Sequence, residues 1–262
     1  MRNVTSKGRT GETARRVLTM MLAAITLFVS AGASAEETKK PAVSADVTVA
    51  SKYVWRGLRL TDDPVLQPSL TVDYKGLGLN IWANTDLTDV NGTPGQTNEL
   101  DYTLSYSFAV DKAELSFGVI QYTFPHTSFE PTTEIYGTAT MDYLLSPTAT
   151  IYWDTDEVGG VYATLGIGHS FPLGDLYRGI SPSLDLSGSI GYATSNWNKG
   201  YYGVNSSGLV DLLLTAGFAI PIDDHLSTGL FVSFSSVVDS DLRDAVDNNQ
   251  TTSFGATLSY AF

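Results

Sequence analysis

The chain has 262 residues, with 15 lysines and arginines against 28 aspartates and glutamates, a formal charge of -13, and no cysteine. An acid excess of this size argues against a nucleic-acid partner, which needs a basic footprint, and against adsorption to anionic lipid through charge. Without cysteine there is no disulfide framework, so an exported form must be stable by its fold alone.

At the N-terminus, Arg15 and Arg16 precede an apolar run over residues 17–29, followed by Ala33, Ser34 and Ala35. This order predicts a secretory signal peptide over residues 1–35, cleaved after Ala35. The run is well short of the roughly 20 apolar residues that a spanning helix needs. Residues 1–35 hold five basic residues and one acid, so their removal leaves a charge of -17. Residues 36–45 are expected to be a short periplasmic segment, too small to be a plug, and 46–262 to be one barrel domain.

Mean hydropathy is +0.01 although 43% of the residues are hydrophobic, so the apolar content must be distributed. Alternation distributes it. Twelve alternating segments can be drawn over 45–57, 66–75, 77–86, 98–110, 113–124, 132–144, 147–156, 160–171, 182–193, 207–220, 225–237 and 251–262. Their length of about ten residues is what a tilted membrane-spanning strand needs. Merging or splitting within 145–160 would give ten or fourteen. In the fourth segment Leu100, Tyr102, Leu104, Tyr106, Phe108 and Val110 oppose Asp101, Thr103, Ser105, Ser107 and Ala109. In the fifth, parity slips between Val119 and Ile120, which predicts a bulge or a shifted register there.

Connections alternate between short (KGLG, VDKA, LLSP, IPIDDH) and long and polar (LTDVNGTPGQTN, PHTSFEPT, TSNWNKGYYGVN, DSDLRDAVDNNQ), with FPLGDLYRGIS, long for a turn, and DEVGG, short for a loop, as exceptions. A transmembrane β-barrel has this asymmetry, and an even strand count leaves both termini in the periplasm. The chain ends TTSFGATLSYAF, with Tyr260 and Phe262 on the apolar parity. Lipid can take that face, and closure onto the first strand removes the open edge. Such an ending resembles the C-terminal signal read by the outer-membrane assembly machinery. A soluble lipocalin-like barrel would need only about eight strands with the apolar face inward, and the small polar faces here would leave that core unfilled. The expected fold is therefore all-β, a closed antiparallel transmembrane barrel.

The opposite parity should face the lumen. Lys52, Arg56, Asp86, Asp101, Glu134, Asp154, Asp156 and Asp211 are the pore-lining candidates, an acidic set with a small basic patch that would favour cations mildly. The same charges could instead bridge one another across a plugged barrel. Trp82, Tyr136, Tyr152 and Tyr162 also take inward parity, as space fillers or as a stacking surface. The NWNKGYY loop, residues 196–202, either folds into the mouth or adds to an aromatic girdle.

Catalysis has little support. His169 and Ser170 are neighbours on a strand and so point to opposite faces, while His126 and His225 fall at opposite ends of the barrel. No catalytic residue is assigned. The acidic loop of Asp239, Asp241, Asp244 and Asp247 departs from the EF-hand pattern at Arg243, Asp244 and Gln250. No metal ligand or cofactor is assigned.

Residues 44–74, SADVTVASKYVWRGLRLTDDPVLQPSLTVDY, resemble the opening of the TorF-type porins, a conserved family of proteobacteria. Ser51, Tyr53, Val54, Trp55, Arg56 and Gly57 match its Ser-x-Tyr-Val-aromatic-Arg-Gly element. The resemblance implies an outer-membrane barrel and carries over no catalytic residue. In this reading Arg56 pairs with an acid such as Asp86, and Gly57 permits close strand approach.

The function expected is passive diffusion of small hydrophilic solutes or ions across a bacterial outer membrane. The expected partners are outer-membrane lipid, lipopolysaccharide and the barrel-assembly machinery. A non-conducting structural or adhesive barrel is the alternative, and a barrel hydrolase comes after it.

Overall fold

The computed structural model describes residues 40–175 and 180–262, so the expected signal peptide lies outside the described residues. Twelve strands form one closed antiparallel barrel. They are β1 (Ala42–Ala50), β4 (Val65–Tyr74), β5 (Leu77–Asp86), β6 (Thr97–Val110), β7 (Ala113–Thr123), β8 (Thr132–Met141), β9 (Thr148–Asp154), β10 (Val161–Pro172), β11 (Ser183–Ala193), β12 (Gly208–Pro221), β13 (Leu226–Val237) and β14 (Gln250–Ala261). Two short strands, β2 (Tyr53–Trp55) and β3 (Leu58–Thr61), pair only with each other. Helix α1 (Ser195–Tyr201) lies between β11 and β12, and α2 (Ser240–Asp244) between β13 and β14.

Closure is made by β1, which pairs with β14 from Ser44↔Ala261 to Ala50↔Gly255 and with β4 from Ala42↔Asp73 to Ala50↔Val65. The backbone N–H of Phe262 donates to the carbonyl of Val43 at 2.9 Å, so the last residue is tied to the first strand. Strand β1 begins at Ala42, so the expected periplasmic segment gives its last four residues to the wall. One end of the barrel, here the terminal end, carries β1's start and β14's finish. Lys75 and Gly76, with φ of 50° and 85°, make the tight turn between β4 and β5 there. The other, distal end carries most of the longer connections, although the link over 173–182, at the terminal end, is longer than the distal link over 155–160.

Alternation sorts the two faces. Phe117, Leu165 and Phe254 are 55%, 65% and 64% exposed on the outside, in company with residues such as Leu70, Ile151 and Leu230 from other strands. An exposed apolar surface extending round a barrel asks for an apolar solvent. Inside, hydroxyls meet across neighbouring strands: Thr138 with Thr150 at 3.0 Å, Thr215 with Ser233 at 2.9 Å, and Thr48 with Thr257 at 2.7 Å.

Two local expectations are corrected. The segment 45–57 does not continue as one strand: β1 stops at Ala50 and the chain turns inward as the β2–β3 hairpin. The fifth segment has no bulge, because β7 keeps continuous register with β6 and β8 through Val119 and Ile120. Ile120 and Tyr122 are apolar residues on the inward parity, needed there to pack the interior. Register shifts fall instead between Asn84 and Thr85 and between Ile190 and Tyr192.

Candidate functional site

The hairpin is the feature that shapes the lumen. At its root the N–H of Ser51 donates to the carbonyl of Phe254 at 2.8 Å, and the Ser51 hydroxyl accepts from the N–H of Phe254 at 3.0 Å. Its tip is a two-residue turn, Arg56 and Gly57, with φ of 47° and 85°. Paired positive φ values are the signature of a tight hairpin, and glycine bears them without a steric penalty. A Cβ on Gly57 would lie 2.7 Å from the Tyr202 hydroxyl and 2.9 Å from Cβ of Asp211, so the tip is pressed against β12 and the residue following α1.

Arg56 is the centre of the site. Its Nη1 and Nη2 donate to Oε1 and Oε2 of Glu134 at 2.6 and 2.7 Å, a bidentate pair with side chains 8% and 0% exposed. The guanidinium carbon lies 4.5 Å from the ring centroid of Trp55, 4.3 Å from Tyr152, 4.5 Å from Tyr162 and 5.8 Å from Trp197. These π faces stabilise a cation from directions the carboxylate leaves open. The Tyr122 hydroxyl donates to Oε2 of Glu134 at 2.9 Å, and the Tyr202 hydroxyl to the Arg56 carbonyl at 3.0 Å.

Helix α1 supplies the lid over this cage. Trp197 is fully buried between Tyr162, 5.0 Å away by ring centroid, and Tyr201 at 4.6 Å. The 155–160 connection clears space for it at Gly160, where a Cβ would come within 2.6 Å of the Trp197 Cα. Asp154 holds both segments: it accepts from Thr132 at 2.9 Å and Tyr201 at 3.0 Å, and from the N–H groups of Asp156 and Val158 at 3.0 and 3.1 Å. Asp211 accepts from the Tyr162 hydroxyl at 2.8 Å. Val210, Val237 and Leu242 complete an apolar core within the distal half.

On the other flank, Tyr53 of the hairpin contacts Trp82 at 5.6 Å between ring centroids and is hydrogen-bonded to Glu99. Asp101 pairs in register with Trp82 and Tyr122, and its Oδ1 is buried without a partner. Asp86 is buried and accepts from Thr61 at 2.9 Å, Asn84 at 3.2 Å, Asn91 at 2.8 Å and Thr93 at 3.2 Å. The hairpin thus reaches from β5 and β6 to β8 and β12 and constricts the lumen at the distal end. Toward the terminal end a cavity of about 590 Å³ is lined in part by Thr148, Gly166, Gly168, Ser187 and Ser189.

The expected site residues therefore fall into three groups. Arg56, Glu134, Asp154 and Asp211 meet in one network. Asp86 and Asp101 line the opposite flank, and Arg56 pairs with Glu134 and not with Asp86. Lys52 and Asp156 are not on the wall: Lys52 is in the bend before the hairpin and pairs with Asp62, and Asp156 is exposed on the 155–160 connection. Hydrogen bonding from Lys52, helped by the charge of Arg59, holds the Asp62 carboxyl below the usual carboxylate range. Tyr260 and Phe262 are outward at the terminal end with rings 4.9 Å apart, and His225 stacks on Tyr260. The sequence reading missed Trp55 and Tyr122 as members of the site; Tyr201 belongs to the loop 196–202 that it singled out. Trp197 enters the barrel, the first of its two alternatives.

His169 packs edge-on against Phe171 at 4.5 Å on the outward parity, while His126 bonds the Thr97 carbonyl and His225 that of Ala261. Asp239 caps α2 by accepting from the N–H groups of Asp241 and Leu242.

A closed barrel, apolar outside and polar within, is of the transmembrane class. A family model described as a bacterial protein of unknown function, Gcw_chp, matches residues 34–159, which take in the hairpin, Glu134 and Asp154. Among solved structures, the NanC porin aligns with a TM-score of 0.52 at 10% identity, over 82% of this chain and 98% of that one. The KdgM porin aligns with a TM-score of 0.52 at 14% identity, over 84% and 99%. At these identities the likeness is one of fold. No curated protein sequence matches the chain.

Proposed function

We propose that the mature chain, residues 36–262, is a porin-like channel of the bacterial outer membrane that passes small hydrophilic solutes or ions. The observation that carries this reading is the inner face: hydroxyls, glycines and acids line the barrel under an apolar outer band, as a water-filled lumen requires. The element from Ser51 to Gly57 supports a place among the TorF-type porins. In this reading both termini are periplasmic, the distal loops are external, and residues 1–35 are removed on export. Cation preference belongs to the inward acids that no base neutralises, Glu99, Asp101, Asp154 and Asp211, since Glu134 is paired with Arg56.

Single-channel current from the refolded mature protein in a planar bilayer, under a salt gradient, tests this. Discrete steps with a cation-directed reversal potential are expected, with Glu99→Gln/Asp101→Asn shifting that potential toward zero. The rival reading, a barrel that does not conduct, is favoured by the distal constriction. Silence from folded wild type and from a variant whose hairpin is cut out would decide for the rival.

A further inference from the structure

Around Arg56, one ring travels with the hairpin and the rest do not. Trp55 is on β2, whereas Glu134, Tyr152 and Tyr162 belong to barrel strands and Trp197 to α1. The hairpin is absent from the barrel's hydrogen-bond ladder, and its tip is held through side chains, by Arg56 to Glu134 and by Tyr202 to the Arg56 carbonyl. It can leave without opening the wall. What it would leave is a carboxylate with bidentate reach among three π faces, a set whose chemistry suits a guanidinium or alkylammonium ion.

We propose that Glu134, Tyr152, Tyr162 and Trp197 form a recognition site for guanidinium-bearing solutes, that Arg56 occupies it in cis, and that this docking closes the lumen reversibly, wild type conducting only while Arg56 is released. The site itself is independent of transport; its link to closure rests on the channel reading. A tethered ligand competes at a high effective concentration, so the free ion should bind when Arg56 is removed.

The probe is methylguanidinium chloride, titrated into refolded mature protein by calorimetry, with sodium chloride at equal ionic strength as the control. Arg56→Ala should bind it saturably, at least about tenfold more tightly than wild type, since the occupant has gone. Adding Glu134→Gln should abolish that binding. Folded Arg56→Ala without saturable, Glu134-dependent binding overturns the site. Should Arg56→Ala fail to fold, refolding in the probe decides: recovery with methylguanidinium but not sodium supports the site, and no recovery overturns it. Current through Arg56→Ala separates the two claims. Binding without current keeps the site and removes the channel; current that saturating probe leaves unchanged keeps the channel and removes the docking.

Discussion

A guanidinium with a side chain 8% exposed must have its charge met where it lies, and Glu134 meets it with both oxygens. Removing one partner leaves the other buried and alone, which costs about 3–5 kcal/mol. Glu134→Ala should therefore lower the unfolding free energy by about 3 kcal/mol in urea titrations of the barrel in lipid vesicles, whereas Arg56→Met/Glu134→Leu should recover most of the loss. Gly57→Ala meets both a positive φ and the Tyr202 hydroxyl, and should cost about 1–3 kcal/mol in the same titration. At the terminal end, the backbone N–H groups of His225 and Leu226 bond to Asp223 and hold its carboxyl below its ordinary value. A depressed carboxylate stabilises above its unfolded pKa and loses that contribution as pH falls through the folded one. The stability difference between wild type and Asp223→Asn should therefore be present at neutral pH and vanish in strong acid.

The plug is made of short elements that the wall does not need. Replacing residues 195–203 by a brief Gly-Ser link should leave barrel circular dichroism and heat-dependent gel mobility unchanged while increasing single-channel conductance. Unchanged conductance would mean that α1 does not restrict the path. Asp239→Ala should speed hydrogen exchange in α2 without touching the strands, because it removes the cap on Asp241 and Leu242. The wall elements were readable because lipid outside and polar groups inside enforce strict alternation; β5, drawn over 77–86, matches to the residue. The hairpin was not, because Tyr53 and Trp55 carry the same parity as Val47 and Val49 and alternation continues across a bend it cannot register. Its legible signal was the Arg56-Gly57 pair between two apolar residues, a two-residue turn. The cage was half legible: inward parity located Glu134, Tyr152 and Tyr162. Which acid meets Arg56 depends on how far the hairpin crosses the lumen, and no local pattern carries that distance.

For the whole molecule, closure depends on the chain's last residues. Tyr260 and Phe262 are exposed on the outer face where β14 meets β1, and deleting Phe262 should reduce the yield of assembled barrel in cells more than its stability once folded. Plugging depends on residues far apart in sequence. The hairpin lies between the first two barrel strands, yet Arg56 meets Glu134 78 residues later and Tyr202 146 residues later. The segment that constricts the lumen is thus synthesised before β8 to β12, whose residues it docks on. Closure of β1 onto β14 spans more of the chain still, so sequence separation does not order the two events; because the hairpin stands outside the wall's hydrogen-bond ladder, the expected order is wall first and docking second. In a Trp82→Phe/Trp153→Phe background, refolding followed by circular dichroism should finish before the fluorescence of Trp55 and Trp197 does, and the interval between the two traces would be the lifetime of an unplugged barrel.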